Sequence, residues 1–144
     1  MKIHRKNLLY SLSAIRQSAF TFLEAAMTDA GITDLSPAHG DILYVIHKLE
    51  EAYVKEIVAR SHRDKSTVSN IINQLVKKGF VEKRGAPDDG RRVRVRLSEK
   101  ARIHMESMAL ISKRLEKKLF SNMSEEEQAI LFLLLEKVKK EIEK

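Results

Sequence analysis

DKSTVSNIINQLVKKGFVEKR, residues 64–84 of a 144-residue chain, changes its hydrophobic period part-way along. Asp64 is a good N-cap residue, and Val68, Ile71, Ile72, Leu75 and Val76 recur at helical spacing until Gly79 supplies a stop. Phe80–Arg84 then reads as a strand, residues 85–90 (GAPDDG) as a turn, and Arg92-Val93-Arg94-Val95-Arg96-Leu97 alternates with period two. The expectation is a helix running into a two-stranded hairpin. Val93, Val95 and Leu97 must face the core, which leaves Arg92, Arg94 and Arg96 on the other face. With Arg84 they make four mutually repelling arginines, and an anionic partner would relieve the repulsion.

Upstream, a short helix from about Val54 through Ala59 is joined to the Asp64 helix by only Arg60–Arg63, which predicts a helix-turn-helix. Before it, Ser36 as N-cap and Pro37 at the first helical position begin a helix that buries Ile42, Leu43, Val45, Ile46 and Leu49. Leu8, Leu12, Ile15, Ala19, Phe22 and Ala26 form one face of a first helix ended by Gly31. Downstream, Ser98 caps a long helix with near-heptad Ala101, Met105, Met108, Ile111, Leu115 and Leu119. Ser124 and Glu127 form a capping box for a last helix, in which Ala129–Leu135 is apolar on every side. A terminal helix of that kind needs burial all round, and a second subunit can supply it. The expected fold is mainly α with a small β-hairpin, in a single domain. Residues 36–100 form a winged helix-turn-helix lobe, and 1–31 and 101–144 a helical dimerisation region.

Charge points to the partner. Residues 60–100 hold 12 Lys/Arg against 5 Asp/Glu, so the whole net charge of +7 sits there and the rest of the chain is neutral. Positive charge concentrated on one folded segment is the footprint of polyanion binding. The chain has no cysteine, which excludes disulfides, thiolate metal sites and thiol-based redox sensing. It shows neither a signal-peptide core nor a long apolar span, so a cytoplasmic location with no membrane partner is expected. There is no Gly-rich phosphate loop, nucleophile elbow or His-Glu-x-x-His, so no catalytic residue and no cofactor is assigned. Five histidines raise a zinc-responsive alternative in which His39, Asp41 and His104 converge, but no metal-ligand spacing supports it.

A helix-turn-helix followed by a basic hairpin suits double-stranded DNA, because the major groove admits one helix whose leading residues meet base edges. Outside its apolar stripe the 64–78 helix carries Lys65, Ser66, Thr67, Ser69, Asn70, Asn73, Gln74 and Lys77. Asn70 and Asn73 are the candidates for base contact, and Ser66, Thr67 and Lys77 for phosphates. On the wing, Arg91, Arg92 and Arg94, with Arg84 beside them, suit the minor groove or flanking phosphates. Asp89 is expected to clamp the turn, with Arg91 tied to it or freed for DNA. Alternatives are an architectural DNA- or RNA-binding module without base readout, and a hairpin that docks on an acidic protein.

Asp64-Lys65-Ser66-Thr67-Val68-Ser69, the run Leu75–Lys83, the Asp89-Gly90-Arg91 triplet and the close Val95–Lys100, in order across roughly residues 36–101, together resemble the multiple-antibiotic-resistance regulator (MarR) family. The resemblance implies a homodimer with intertwined terminal helices, acting as a repressor of a pseudo-palindromic operator. It implies that Arg91 of the family's Asp-x-Arg wing triplet enters the minor groove. The family often has an arginine where this chain has Asn70, so no role passes to Asn70 by likeness. A small-molecule effector between the dimer helices and the DNA-binding lobe is also implied. The candidate pocket is Leu12, Ile15, Phe20, His39, Leu43, Met105 and Met108, residues that read equally as plain core. The peroxide-sensing branch, which needs a reactive cysteine, is excluded.

Overall fold

Gly31 and Gly79 end their helices in the same way, and the two turns organise the first part of the fold. The computed structural model describes residues 7–85 and 93–144. Helix α1 (Leu8–Asp29) closes with Gly31 at φ +77°, its N–H donating to Thr28 O at 3.0 Å while Ile32 N–H donates to Met27 O at 2.8 Å. Helix α4 (Lys65–Lys77) closes with Gly79 at φ +81°, donating to Val76 O at 3.0 Å, and Phe80 N–H donates to Leu75 O at 2.9 Å. Each is a Schellman turn: the glycine takes the left-handed conformation and the next residue turns back into the core. Met27, Ile32, Leu75 and Phe80 all belong to one buried cluster.

Between these turns lie α2 (Pro37–Leu49), β1 (Glu51–Tyr53) and α3 (Val54–Ser61). After α4 come β2 (Val81–Arg84), β3 (Arg94–Leu97), α5 (Glu99–Leu119) and α6 (Glu125–Ile142). Ser36 caps α2, and its N–H in turn donates to His39 Nδ1 at 3.0 Å, a capping box closed by an imidazole. The sheet is antiparallel with strand order β1-β3-β2, so the expected two-stranded hairpin is corrected to three strands. Glu51-Ala52-Tyr53 is too short to show a period in sequence, and it pairs with Arg96-Val95-Arg94. The chain reaches β1 through Glu50, whose φ of 62° turns it out of α2.

The mainly helical fold with its small sheet is thus as expected. Ile42, Leu43, Ile46, Ile57, Val68, Leu75, Phe80 and Val95 are fully enclosed, and they come from α2, α3, α4 and the sheet. Removing side chains of that size from water is worth about 1.5–3 kcal/mol each. The hydroxyl of Ser98, at the β3–α5 junction, donates to Gly79 O at 2.6 Å and accepts from Ala101 N at 3.3 Å. One side chain therefore caps α5 and holds the turn that ends α4.

The chain forms two compact units, Met1–Ile111 and Ser112–Lys144. In the second, the Phe120 and Phe132 rings lie 5.7 Å apart. No residue of α6 is buried, and Ile130, Phe132, Leu133 and Leu134 are each more than half exposed. In the first, the leading half of α1 likewise exposes Leu8, Leu9, Leu12 and Ile15. Among the described residues no helix is long and apolar enough to cross a membrane.

At Gly79 a Cβ would meet nothing within 4 Å, so only backbone strain opposes a side chain there. Gly79→Ala is expected to lower the unfolding free energy by about 1–2 kcal/mol, the cost of a left-handed L-residue. Urea denaturation checks this as a lower midpoint at unchanged slope.

Candidate nucleic-acid interface

Helix α4 is divided lengthwise. Val68, Ile71, Ile72 and Leu75 are buried, which orients the helix, while Lys65, Ser66, Thr67, Asn70, Asn73, Gln74 and Lys77 are exposed and Ser69 is half-buried. At its start the Asp64 carboxylate accepts from Thr67 N and from Thr67 Oγ1, both at 2.8 Å. These bonds, the backbone one first, lower the Asp64 pKa below the ordinary aspartate value. The Thr67 hydroxyl, expected at a phosphate, here donates its proton to the cap. Lys65 and Ser66 are exposed on the first turn.

Further along, α4 is tied to its surroundings by side chains. Lys83 Nζ on β2 donates to Asn73 Oδ1 at 3.1 Å. Gln74 Oε1 lies 2.8 Å from His39 Nε2. Since His39 Nδ1 accepts from Ser36 N–H, the ring proton sits on Nε2 and donates to Gln74. Lys100 Nζ donates to Lys78 O at 3.0 Å and stands 4.4 Å from the centre of the Phe80 ring, closing the C-terminal end. Arg63, in the turn before α4, bonds Asp41 on α2 at 2.9 Å, and His62 ends α3 in the left-handed conformation. Basic side chains therefore flank α4 at its beginning and on the adjoining strand.

The outer face of the sheet departs from the picture of four repelling arginines. Arg94 pairs with Glu51 at 3.3 Å and lies over the Tyr53 ring at 5.5 Å. Its pKa is raised, by the Tyr53 hydroxyl first and Glu51 after it. Arg96 pairs with Glu82 at 2.9 Å. Arg84 stands directly opposite Arg94 across the strands, a like-charge pairing that disfavours the sheet. Two of the arginines are thus paired inside the chain, Arg94 with Glu51 on β1 and Arg96 with Glu82 on β2. Asp89, Arg91 and Arg92 lie outside the described residues.

Sequence reasoning missed Lys83, Lys100 and Glu51 as parts of the interface. A signal for Lys83 existed: period-two counting puts it on the Val81 side of β2, and its register partner is buried Val95. Its stem thus runs toward α4 rather than away from it. Nothing comparable marked Glu51, since β1 itself has no period to read.

The candidate effector residues meet different fates. Leu43 is fully buried in the core, so its place in an open pocket is withdrawn. Leu12 and Ile15 are exposed on α1, and Phe20 is covered by Arg16, 4.8 Å from its ring centre. Met105 and Met108 pack partly buried against the core, and a Cβ on Gly40 would meet Met108 Cε at 2.9 Å. The zinc alternative is not supported. His39 is committed to Ser36 and Gln74, Asp41 to Arg63, and His104 to the Phe80 ring at 5.8 Å. Among the described residues no group of three or more His, Asp or Glu could hold a metal ion.

A family model for the MarR family matches residues 33–92. An uncharacterised helix-turn-helix-type transcriptional regulator of Bacillus subtilis, YdgJ, is 26% identical over 135 residues, 94% of this chain and 79% of its own length. Over residues 33–92 the chain is thus similar to the MarR family. Its winged-helix fold is that of Escherichia coli MarR, a mutant of which, solved with operator DNA, superposes with a TM-score of 0.80 at 24% identity, covering 94% of this chain and 99% of that one. Bordetella bronchiseptica BpsR, described as regulated in DNA binding by 6-hydroxynicotinic acid, gives a TM-score of 0.80 at 20% identity over 92% of this chain and 98% of that one. The curated relatives that this chain resembles are described as transcriptional regulators.

Thr67→Val, which deletes one of the two bonds to Asp64, is expected to move the Asp64 pKa back up toward the free value. Because the folded pKa is the lower one, the cap's contribution is complete above the unfolded value of about 3.9 and is lost as pH falls through the folded value. A carbon-detected NMR titration of the Asp64 carboxyl checks both the direction and its reversal.

Proposed function

We propose that this chain is a MarR-family transcriptional regulator, a homodimer that binds a pseudo-palindromic operator in double-stranded DNA, one lobe of residues 36–100 on each half-site. The observation that carries the reading is α4: buried on one face, polar and exposed on the other, and set in the stretch that holds the chain's entire charge excess. Its leading residues Lys65, Ser66 and Asn70 then meet the major groove, with Lys77 at phosphates. The wing residues Arg91 and Arg92, steadied by Asp89, extend the contact toward the minor groove. None of the exposed large aromatics, Tyr10, Tyr44 and Phe132, lies on α4 or the sheet, which favours duplex over single-stranded nucleic acid.

Dimerisation through the helices of 1–31 and 101–144 is supported by the apolar side chains that α1 and α6 each leave in solvent. A dimer seated on both half-sites occludes any promoter beneath it, so repression is the proposed sign of control. An effector of small aromatic character is proposed to act near Phe20, His39, Met105 and Met108, with Leu12 and Ile15 at its edge. His39 is the natural relay, because it joins α2 to Gln74 on α4.

Selection of binding sites from a random duplex pool tests the reading; recovery of no palindrome would overturn it. Arg91→Ala is expected to weaken binding about equally on all sequences and to flatten the salt slope by about one unit. Arg94→Ala should flatten it less, since Glu51 already neutralises that guanidinium. Leu133→Asp with Phe132→Asp is expected to give a monomer in analytical ultracentrifugation and to abolish operator binding at nanomolar protein.

A further inference from the structure

We infer that Asn73 and Lys83 act as one donor-only unit that selects guanine at a single position in each half-site. The inference rests on the operator-binding reading above and adds the base.

The two ends of a carboxamide look alike, but its neighbour fixes which is which. A lysine ammonium has three donors and no acceptor, so the Asn73 atom 3.1 Å from Lys83 Nζ must be Oδ1. The Asn73 NH2 is then the end left to donate, together with the two remaining N–H groups of Lys83. Both side chains are exposed, and register holds Lys83 in place, because Lys83 pairs with buried Val95 on β3. Gln74 is oriented by the same logic, its Oε1 facing the His39 Nε2 proton. On this turn of α4 both carboxamides therefore have their acceptor end engaged by the protein.

An asparagine that reads adenine uses both ends, Oδ1 accepting from N6 and Nδ2 donating to N7. With a cation on Oδ1, that bidentate match is spoiled. Guanine presents N7 and O6, two acceptors side by side with no donor between them, and so fits a neighbouring amide NH2 and ammonium. Thymine offers a single acceptor and a methyl group, and cytosine a donor.

The test is site selection from a random duplex pool with the full chain, followed by titration on the selected site and its guanine-to-adenine variant. In the wild type, the position whose preference disappears in Asn73→Ala should be guanine. Lys83→Met frees Oδ1, and preference for guanine over adenine there should fall by about tenfold or more, within the range of one bidentate contact. Lys83→Arg keeps a donor on Oδ1 and should retain the guanine. Two results overturn the inference while leaving operator binding intact. One is a palindrome in which no position responds to Asn73→Ala. The other is a Lys83→Met variant that binds more weakly on every sequence at unchanged preference, as loss of a phosphate contact would cause. Failure to recover any palindrome overturns the operator reading itself, and this inference with it.

Discussion

Everything the lobe does depends on how the C-terminal end of α4 is held. A helix that offers one face to a ligand must be fixed by the other face and by its ends, and the last turn of α4 is gripped on four sides. Gly79 turns the chain, Phe80 enters the core, Ser98 binds the Gly79 carbonyl and Lys100 binds the Lys78 carbonyl while covering the Phe80 ring. The Ser98 and Lys100 contacts satisfy carbonyls, of Gly79 and Lys78, that the end of the helix leaves without an internal partner. Two of the groups that make this grip, Ser98 and Lys100, lie at the cap and the first turn of α5. The end of α4 and the beginning of α5 are in that sense one joint.

The sheet beside this joint is stabilised by charge rather than by apolar cover on its outer face. Glu51, Glu82, Arg94 and Arg96 alternate in sign across three strands, with Tyr53 beneath Arg94. Exposed pairs of this kind are worth little singly, about 0.2–1 kcal/mol. Their larger effect is on register, since a slip of one residue would carry Val95 and Leu97 to the solvent face and bring like charges together.

Helix positions were legible in the amino-acid sequence wherever a cap and a period agreed. Ser36-Pro37, Asp64, Ser124 with Glu127, Gly31 and Gly79 all mark the ends they were read to mark. The third strand was not legible, because three residues cannot display a period and its pairing partner lies more than forty residues away. Nor could sequence show that Arg94 and Arg96 are neutralised, for the same reason: Glu51 sits on that hidden strand, and Glu82 reaches Arg96 only once register is set. In the candidate site, the division of α4 into a buried and a polar face came from spacing alone. Its refinement did not. That the Thr67 hydroxyl is consumed by the cap, that Lys83 reaches Asn73 and that Leu43 is sealed in the core are matters of three-dimensional neighbourhood.

The lengthwise division of α4 also bears on how such a protein can change over generations. Lys65, Ser66 and Asn70 stand in solvent on a helix whose placement is decided by Val68, Ile71, Ile72 and Leu75. Surface substitutions of that kind usually shift stability by no more than about 0.5 kcal/mol. The leading turns are therefore free to drift, and a duplicated copy of the chain could acquire a new target without passing through an unstable ancestor. Asn73 and Gln74 are less free, since each is bonded to another element of the lobe. Divergence in recognition should begin at the front of the helix and reach its middle last.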